Sequence, residues 1–353
     1  MAAHARISSP EDREGITALM RSALGLDEDA VAIQAAFQRW KYWDAHPLTT
    51  AGRSYVLEGS HGIVAHGCRW PMQILTTGGG YDAFHLIDWA ADSSRAGAGL
   101  QVLRDTCEDS AALFSIGGSP TTRRILPALG DHLGRRGEPE RATSYRVAGH
   151  VYFLSRPLKP LVAATQEAPL DWKTPMRMIR NAYRAELPTL RLDAGFAFTQ
   201  VTLKEIPERL WPRPSADVAV TARTVGLLEH FAHCPALEQP MSFVLTRQGV
   251  PVAYFYLVGI GRQVRLADYG PASLDEVVAQ NLGAATQLAA KKHYPDALRI
   301  SAVTSEDAVR TDWLRYGFRE AYREEIRALV VNPALEGVSR YRLTYLDCDA
   351  LCL

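Results

Sequence analysis

The sequence predicts a mixed α/β protein made of two similar lobes, each a mostly antiparallel mixed sheet flanked by helices. Three observations carry this: a repeat at long offset, a hairpin followed by alternating strands and helices in each copy, and a composition able to fold. Of 353 residues, 47% are apolar and 22% charged, a balance that buries a sizeable core. The length suits about two domains of ordinary size. Lys+Arg and Asp+Glu are both 39, so no global field steers the chain toward nucleic acid or a membrane. The run of about 18 apolar residues that a membrane span needs is missing.

The repeat comes first, because a missed repeat misreads the whole fold. Ser54-Tyr55-Val56-Leu57 followed by Val64-Ala65 recurs as Ser242-Phe243-Val244-Leu245 followed by Val252-Ala253, shifted by 188 throughout. Trp43 four residues before Pro47 matches Phe231 before Pro235 at the same shift, and Asp88-Trp89-Ala90 meets Asp268-Tyr269-Gly270 shifted by 180. These matches keep their order along the chain. They divide it into an N-terminal lobe, 1–155, a C-terminal lobe, 165–335, and a tail, 336–353, with a linker over 150–170 marked by Pro157, Pro160 and Pro169.

Each element has a local reason. Residues 11–24 place Ile16, Leu19, Met20, Ala23 and Leu24 on one helical face. A second helix over 30–45 ends before Pro47, since proline disfavours helix in the residue before it. Residues 54–58 and 62–75 form a hairpin around Gly59-Ser60-His61-Gly62. An apolar strand over 83–90, a helix from about 97, a strand Ala112–Ile116 and a further helix after Gly117-Gly118-Ser119-Pro120 complete the first lobe. Gly78-Gly79-Gly80 reads as a mobile connection, and Trp40-Lys41-Tyr42-Trp43 as core. The second lobe repeats the plan: strands over 242–258 and 263–269, a helix after Leu274, a strand over 297–303 and a helix over 306–316.

The segment Ser94-Arg95-Ala96-Gly97-Ala98-Gly99-Leu100 lies between a strand and a helix. Amides at a helix start attract anions, and glycines let a diphosphate approach them. It is neither a dinucleotide fingerprint nor a P-loop, because Val102 stands at the third glycine position and no Gly-Lys-Ser/Thr follows. The second lobe has Asp275 and Glu276 there instead, which suit a helix start but oppose a polyphosphate.

The order hairpin, strand, basic glycine turn, helix, strand, helix, with Leu129-Gly130 and Tyr316-Gly317-Phe318 ending the last helices, resembles the GNAT superfamily of acyl-CoA N-acyltransferases in tandem form. The family's turn reads Arg/Gln-x-x-Gly-x-Gly/Ala; Gly97 and Gly99 match it, while Ser94 replaces the leading cation and Arg95 follows one place later. The resemblance implies acyl-CoA or acyl-carrier protein as donor, a small-molecule amine as acceptor and an amide as product. The missing glycine pair of the second lobe leaves one donor per chain, held by the first, and the spacings of His61 with His66 and of His230 with His233, without a third ligand, give no metal site. It places the oxyanion contact on backbone N–H groups around Trp89 and Ala90. Asp88 and His85 are candidates for the base; three apart on a strand they point to opposite faces, so at most one should face the cleft. Asp268 at the matching place in the second lobe fits equally a structural role for Asp88.

Residues 121–160 hold eight Lys/Arg against three acids. Arg123, Arg124, Arg135, Arg136 and Arg141 are thus candidates for docking a carrier protein or aminoacyl-tRNA, the donor of the Fem-type transferases that share the tandem fold. A non-catalytic ligand-binding pair is a further alternative. Five cysteines in no CxxC pattern, and a start without signal-peptide character, lead to the expectation of reduced thiols in a cytoplasmic protein.

Overall fold

The computed structural model describes residues 4–106, 110–134, 144–159, 162, 172–186, 190–348 and 351. A two-residue edge strand, β1 (Arg6–Ile7), precedes α1 (Arg13–Leu24), which buries Ile16, Leu19 and Met20 and stops at Gly25 in the left-handed conformation. The second expected helix is broken into three pieces. A 3-10 turn (Val31–Ile33) leads to the short α2 (Ala35–Gln38) and then to one π-helical turn, Arg39–Trp43.

The hairpin forms as β2 (Ser54–Gly59) and β3 (Gly62–Thr76), and β4 (Gly79–Ala91) returns along β3. Thr76 pairs with Gly79 and Leu75 with Gly80, so those glycines belong to a tight hairpin rather than a loose connection. There follow α3 (Ala98–Thr106), β5 (Ala112–Ile116), α4 (Pro120–Gly134) and β6 (Ser144–Pro157). The expected linker therefore starts only after Pro157. The second half contains α5 (Thr174–Glu186), β7 (Phe196–Val201), β8 (Val218–Thr221), α6 (Val225–Ala232), β9 (Glu238–Arg247), β10 (Val250–Ile260) and β11 (Gln263–Gly270). It continues through α7 (Glu276–His293), β12 (Arg299–Thr304), α8 (Asp307–Arg315), β13 (Arg319–Val330) and β14 (Arg340–Arg342).

All these strands join one sheet, in the order β1-β2-β3-β4-β5-β13-β6-β12-β11-β10-β9-β7, with β8 and β14 paired to each other off the end of β3. The two lobes exchange their last strands. β13, from the second half, pairs with β5 of the first, and β6, from the first half, pairs with β12 of the second. The exchanged strands also pair with each other from Arg319↔Ser155 to Val330↔Ser144.

Alternation along β6 serves both halves, as the two-residue period of a strand requires. Val151 and Phe153 join the larger core, while Tyr152 and Leu154 join the core of the second lobe. The segment expected as a tail is core as well: Tyr341, Leu343, Tyr345, Leu346 and Leu351 are buried in the larger cluster between the halves. Nearby, Arg223 donates to Asp268 at 3.0 Å and to Asp347 at 2.6 Å, all three buried.

Three imidazoles, His46, His66 and His85, are buried in the first lobe, and His230 is half-buried at its border with the second. His230 stacks on Trp40 with ring centroids 4.9 Å apart and meets His46 at 4.6 Å. Burial, with the neighbouring His230 and Arg53, lowers His46 to about 2; burial lowers His66, His85 and His230 to about 4. The unfolded chain takes up these protons near the ordinary value of 6.5, well before the folded one does. Stability is then fully present above that value and falls as the pH drops from 6.5 toward 4, by up to about 1.4 kcal/mol per pH unit for each imidazole. Urea midpoints measured at pH 7.5, 5.5 and 4.5 should decrease steeply in that order; a flat series would contradict neutral burial of these rings.

Candidate active site

β4 and β5 run parallel and paired from Ala83/Ala112 to His85/Phe114 and then diverge. Their divergence opens a cleft of about 460 Å³ whose lining includes His85, Asp88, Trp89, Ser115, Phe153, Tyr322, Glu324 and Cys348. The cause is a bulge in β4. His66 of β3 lies opposite Ala90 while Cys68 lies opposite Ile87, and Asp88 adopts φ +50°. A non-glycine residue rarely sits there, at a cost of about 1–2 kcal/mol. The same bulge corrects the expectation that His85 and Asp88 face opposite sides: alternation fails across it, and both line the cleft.

Asp88 is held at both ends. Its carboxylate takes the Lys41 ammonium at 2.8 Å and the Tyr42 hydroxyl at 2.7 Å. These neighbours come from the π-helical turn, closed by the Asp44 N–H donating to the Arg39 carbonyl at 2.9 Å. Its carbonyl accepts from His66 Nδ1 at 3.0 Å, and this fixes the tautomer, since a carbonyl can only accept. His66 Nε2 then accepts from Ser54 (2.9 Å), Ser54 from Ser8 (2.6 Å), and Ser8 from the Trp43 indole (3.0 Å). Burial pushes the Asp88 carboxyl up, but Lys41, with the Tyr42 hydroxyl and the nearby His66, more than reverses it and holds the group below its ordinary value. The carboxylate is thus a paired, fixed anion. Lys41 could not be singled out from sequence, because its aromatic neighbours read as core.

His85 is buried at the fork where the strands part, and its Nε2 accepts from the Ile116 N–H at 3.4 Å. Its Nδ1 makes no close hydrogen bond among the described residues, and the Asp347 backbone is the polar group that favours its proton. Trp89 links the cleft to the glycine turn, its indole donating to the Gly99 carbonyl at 3.0 Å. Gly99 is required by that contact: a Cβ would lie 3.1 Å from Ala91 and 3.3 Å from the Trp89 indole nitrogen. Gly97 has φ +84° and open space around it. Within the turn, the Ser94 amide goes to the Asp92 carboxylate, and those of Arg95 and Ala98 to backbone carbonyls. Ala96 and Gly97 are exposed ahead of α3, Gly99 is buried and Leu100 exposed in its first turn, and Ala90 is buried in β4 opposite His66. Arg95 is exposed and donates to Ser60 at 3.1 Å.

The matching fork of the second lobe is filled. There β11 and β12 part after Leu266/Ala302. The Tyr269 hydroxyl crosses the gap to Thr304 (2.7 Å) and Glu306 (2.9 Å), and the buried Arg342 of β14 inserts with its guanidinium on Glu306 (3.1 Å) and on the Tyr269 carbonyl. Asp275 caps α7, its carboxylate accepting from the Val278 amide at 2.8 Å. Asp268, the repeat partner of Asp88, is fully buried against Arg223, Tyr254 and Thr344.

The basic run is largely engaged inside the protein where it is described. Arg146 donates to the Leu335 and Glu336 carbonyls at 2.8 and 2.7 Å, Arg156 is buried on the Tyr316 carbonyl, and Arg123 pairs with Glu324 at 3.3 Å. Arg124 is exposed, and Arg135, Arg136 and Arg141 lie outside the described residues. No described helix is long and apolar enough to cross a membrane.

No protein-family model matches the chain, and no curated protein does. Solved structures do. A GCN5-related N-acetyltransferase from Anabaena variabilis superposes with a TM-score of 0.57 at 11% identity, over 96% of this chain and 75% of that one. A tandem GNAT protein from the clavulanic acid biosynthesis pathway gives 0.55 at 11% identity, over 94% and 99%. N-myristoyltransferase from Saccharomyces cerevisiae, solved with bound myristoyl-CoA, gives 0.55 at 12% identity, over 94% and 83%. The chain has the GNAT fold, in tandem.

Removing one partner of a buried ion pair leaves the other charge stranded, at a cost of about 3–5 kcal/mol. Lys41→Met should therefore lower stability by that amount in urea unfolding, and Asp88→Asn introduced beside it should restore most of the loss. Additive losses in the double variant would mean that the pair does not act as a unit.

Proposed function

We propose that the protein is an N-acyltransferase that moves an acyl group from a thioester donor to the amine of a small molecule. The observation that carries this reading is the contrast between the two forks: one open beside a glycine turn, the other bridged by Tyr269 and Arg342 beside a carboxylate-capped helix. The first lobe, 1–155, holds the donor, and the second, 165–335, completes the acceptor side. Among donors, acyl-CoA suits the cleft best. Its diphosphate fits the amides of Ala96, Gly97, Gly99 and Leu100 with Arg95 beside them, and its thioester arm fits the fork between β4 and β5.

The chemistry needs a donor for the tetrahedral oxyanion. Because a peptide is planar and trans, a carbonyl and the following N–H point in opposite directions. With the Asp88 carbonyl turned to His66 on β3, the Trp89 N–H is aimed to the side where β5 leaves. The amine nitrogen forms the C–N bond and the C–S bond breaks. Of the two protons lost by the incoming ammonium, one ends on the thiol and one in solvent. Asp88, expected as a base, serves here to hold the bulge. His85, whose Nε2 already accepts from Ile116, keeps its proton on Nδ1 and stays neutral at the fork.

Calorimetry with CoA should give a stoichiometry near one, and two equivalent sites would contradict the asymmetry between lobes. Arg95→Glu should weaken binding about tenfold by setting a like charge beside the diphosphate. If free CoA does not bind while an aminoacyl-tRNA does, affinity should fall by about 0.7–0.9 log units per log unit of salt for each phosphate neutralised. The Fem-type alternative would then replace this one.

A further inference from the structure

The exchanged strand β13 brings a second carboxylate to the cleft, and we infer that Glu324, with the stacked rings of Tyr322 and Phe153, forms the site that takes the acceptor as an ammonium ion. This rests on the acyl-transfer reading for its purpose, but not for its geometry. Tyr322 and Glu324 are two apart on β13 and so project from the same face, and both line the cleft together with Phe153 of β6. Tyr322 lies on Phe153 with centroids 4.3 Å apart and planes 14° apart, and is 51% exposed. A ring face presented beside a carboxylate is the arrangement that holds an organic cation.

The two carboxylates of the cleft differ in what already neutralises them. Asp88 is buried with Lys41, whereas the Glu324 side chain is 29% exposed and its partner Arg123, 3.3 Å away, is 47% exposed. An exposed pair of that kind contributes about 0–1 kcal/mol, so a substrate ammonium displaces Arg123 at small cost. The fold makes room for this carboxylate. Gly117 at the end of β5 has φ +73°, and a Cβ there would meet the Glu324 carboxyl carbon at 3.1 Å. Arg123 has a second anchor in the Gly118 carbonyl at 3.1 Å, which keeps it at the rim when it is displaced. The acceptor class this selects is a primary amine, cationic on arrival, with an apolar or aromatic body to lie on Tyr322.

The test is calorimetric titration of the full chain with phenethylamine and, as its uncharged counterpart, 2-phenylethanol, each with and without CoA. The wild type should bind the amine at least about tenfold more tightly than the alcohol, as one charge-assisted contact implies. Glu324→Gln should erase that preference while leaving CoA affinity unchanged. Arg123→Gln should move it the other way, strengthening amine binding about two- to threefold by removing the competing cation. The inference is overturned if the wild type fails to prefer the amine, if Glu324→Gln keeps the preference, or if Arg123→Gln weakens amine binding. Failure of CoA to bind while the amine preference follows Glu324 would instead remove the acyl-transfer reading and leave the ammonium site standing.

Discussion

The reciprocal exchange of β6 and β13 is the constraint on which the rest of the molecule depends. Neither lobe is complete without it, because β13 hydrogen-bonds to β5 of the first lobe and β6 to β12 of the second. Separating the halves would expose the pairing of β13 with β6 along nearly its whole length, together with Phe153, Tyr341 and Tyr345, which join one core cluster between them. Unpaired buried backbone is costly, so the two lobes amount to one folding unit. The exchange also sets the cleft. One wall carries Met20 and the strand β4 of the first lobe, while the facing wall carries Tyr322 and Glu324 from the chain's second half. A single lobe could supply a fork, but not this fork.

Within that frame the repeat acts as an internal comparison. Both lobes keep an aspartate near the end of the strand that forms one arm of the fork, and both bury it against a cation from elsewhere: Lys41 for Asp88, Arg223 for Asp268. Position 66 is a histidine that binds the Asp88 carbonyl, while its repeat partner Tyr254 binds the Asp268 carboxylate. Buried pairs are poor sources of net stability compared with apolar packing. Their recurrence at matched positions is better explained by geometry: a carboxylate anchored from two directions fixes where the strand bends. Of the two aspartates only Asp88 is driven to positive φ. Among the described residues the cleft between parting strands is in its lobe, while the second lobe has a hollow of about 360 Å³ between its helix starts, lined by Glu276 and Asp312.

Much of this was legible in the sequence. The hairpin around Gly59–Gly62, the strand over 112–116 and the helix after Leu274 follow from period and turn chemistry, and the repeat was visible as Ser54–Leu57 against Ser242–Leu245. What stayed hidden is what local pattern does not encode. β13, Arg-Glu-Ala-Tyr-Arg-Glu-Glu in its first half, carries charges that suit a solvated helix face as well as an exchanged strand, so pairing across lobes decides it. Opposite faces for His85 and Asp88 require unbroken alternation, and a single left-handed residue, Asp88, undoes that. Lys41 and Tyr42 are adjacent yet reach the same carboxylate, which depends on a π-helical turn that propensity does not foresee. Ser94, placed in the anion cradle by motif, spends its amide on Asp92.

The two forks show opposite solutions to one packing problem. Parallel strands that part leave polar backbone and a void between them. The second lobe fills the void with its own groups: Tyr269 bridges to Thr304 and Glu306, and Arg342, 1% exposed, threads in behind. In the first lobe Trp89 stands at the place of Tyr269, but its ring turns outward onto Gly99, and the fork is left open at the expense of a strained Asp88. Both forks carry a local irregularity, the left-handed Asp88 in the first and a buried Arg342 Nη1 without a hydrogen bond among the described residues in the second, but only the backbone strain of the first sits beside a cleft. Reopening the second fork would strip Glu306 of a buried cation, a loss of several kcal/mol. The second lobe therefore keeps its own fork bridged, and the strand it lends, β13, lines the cleft of the first.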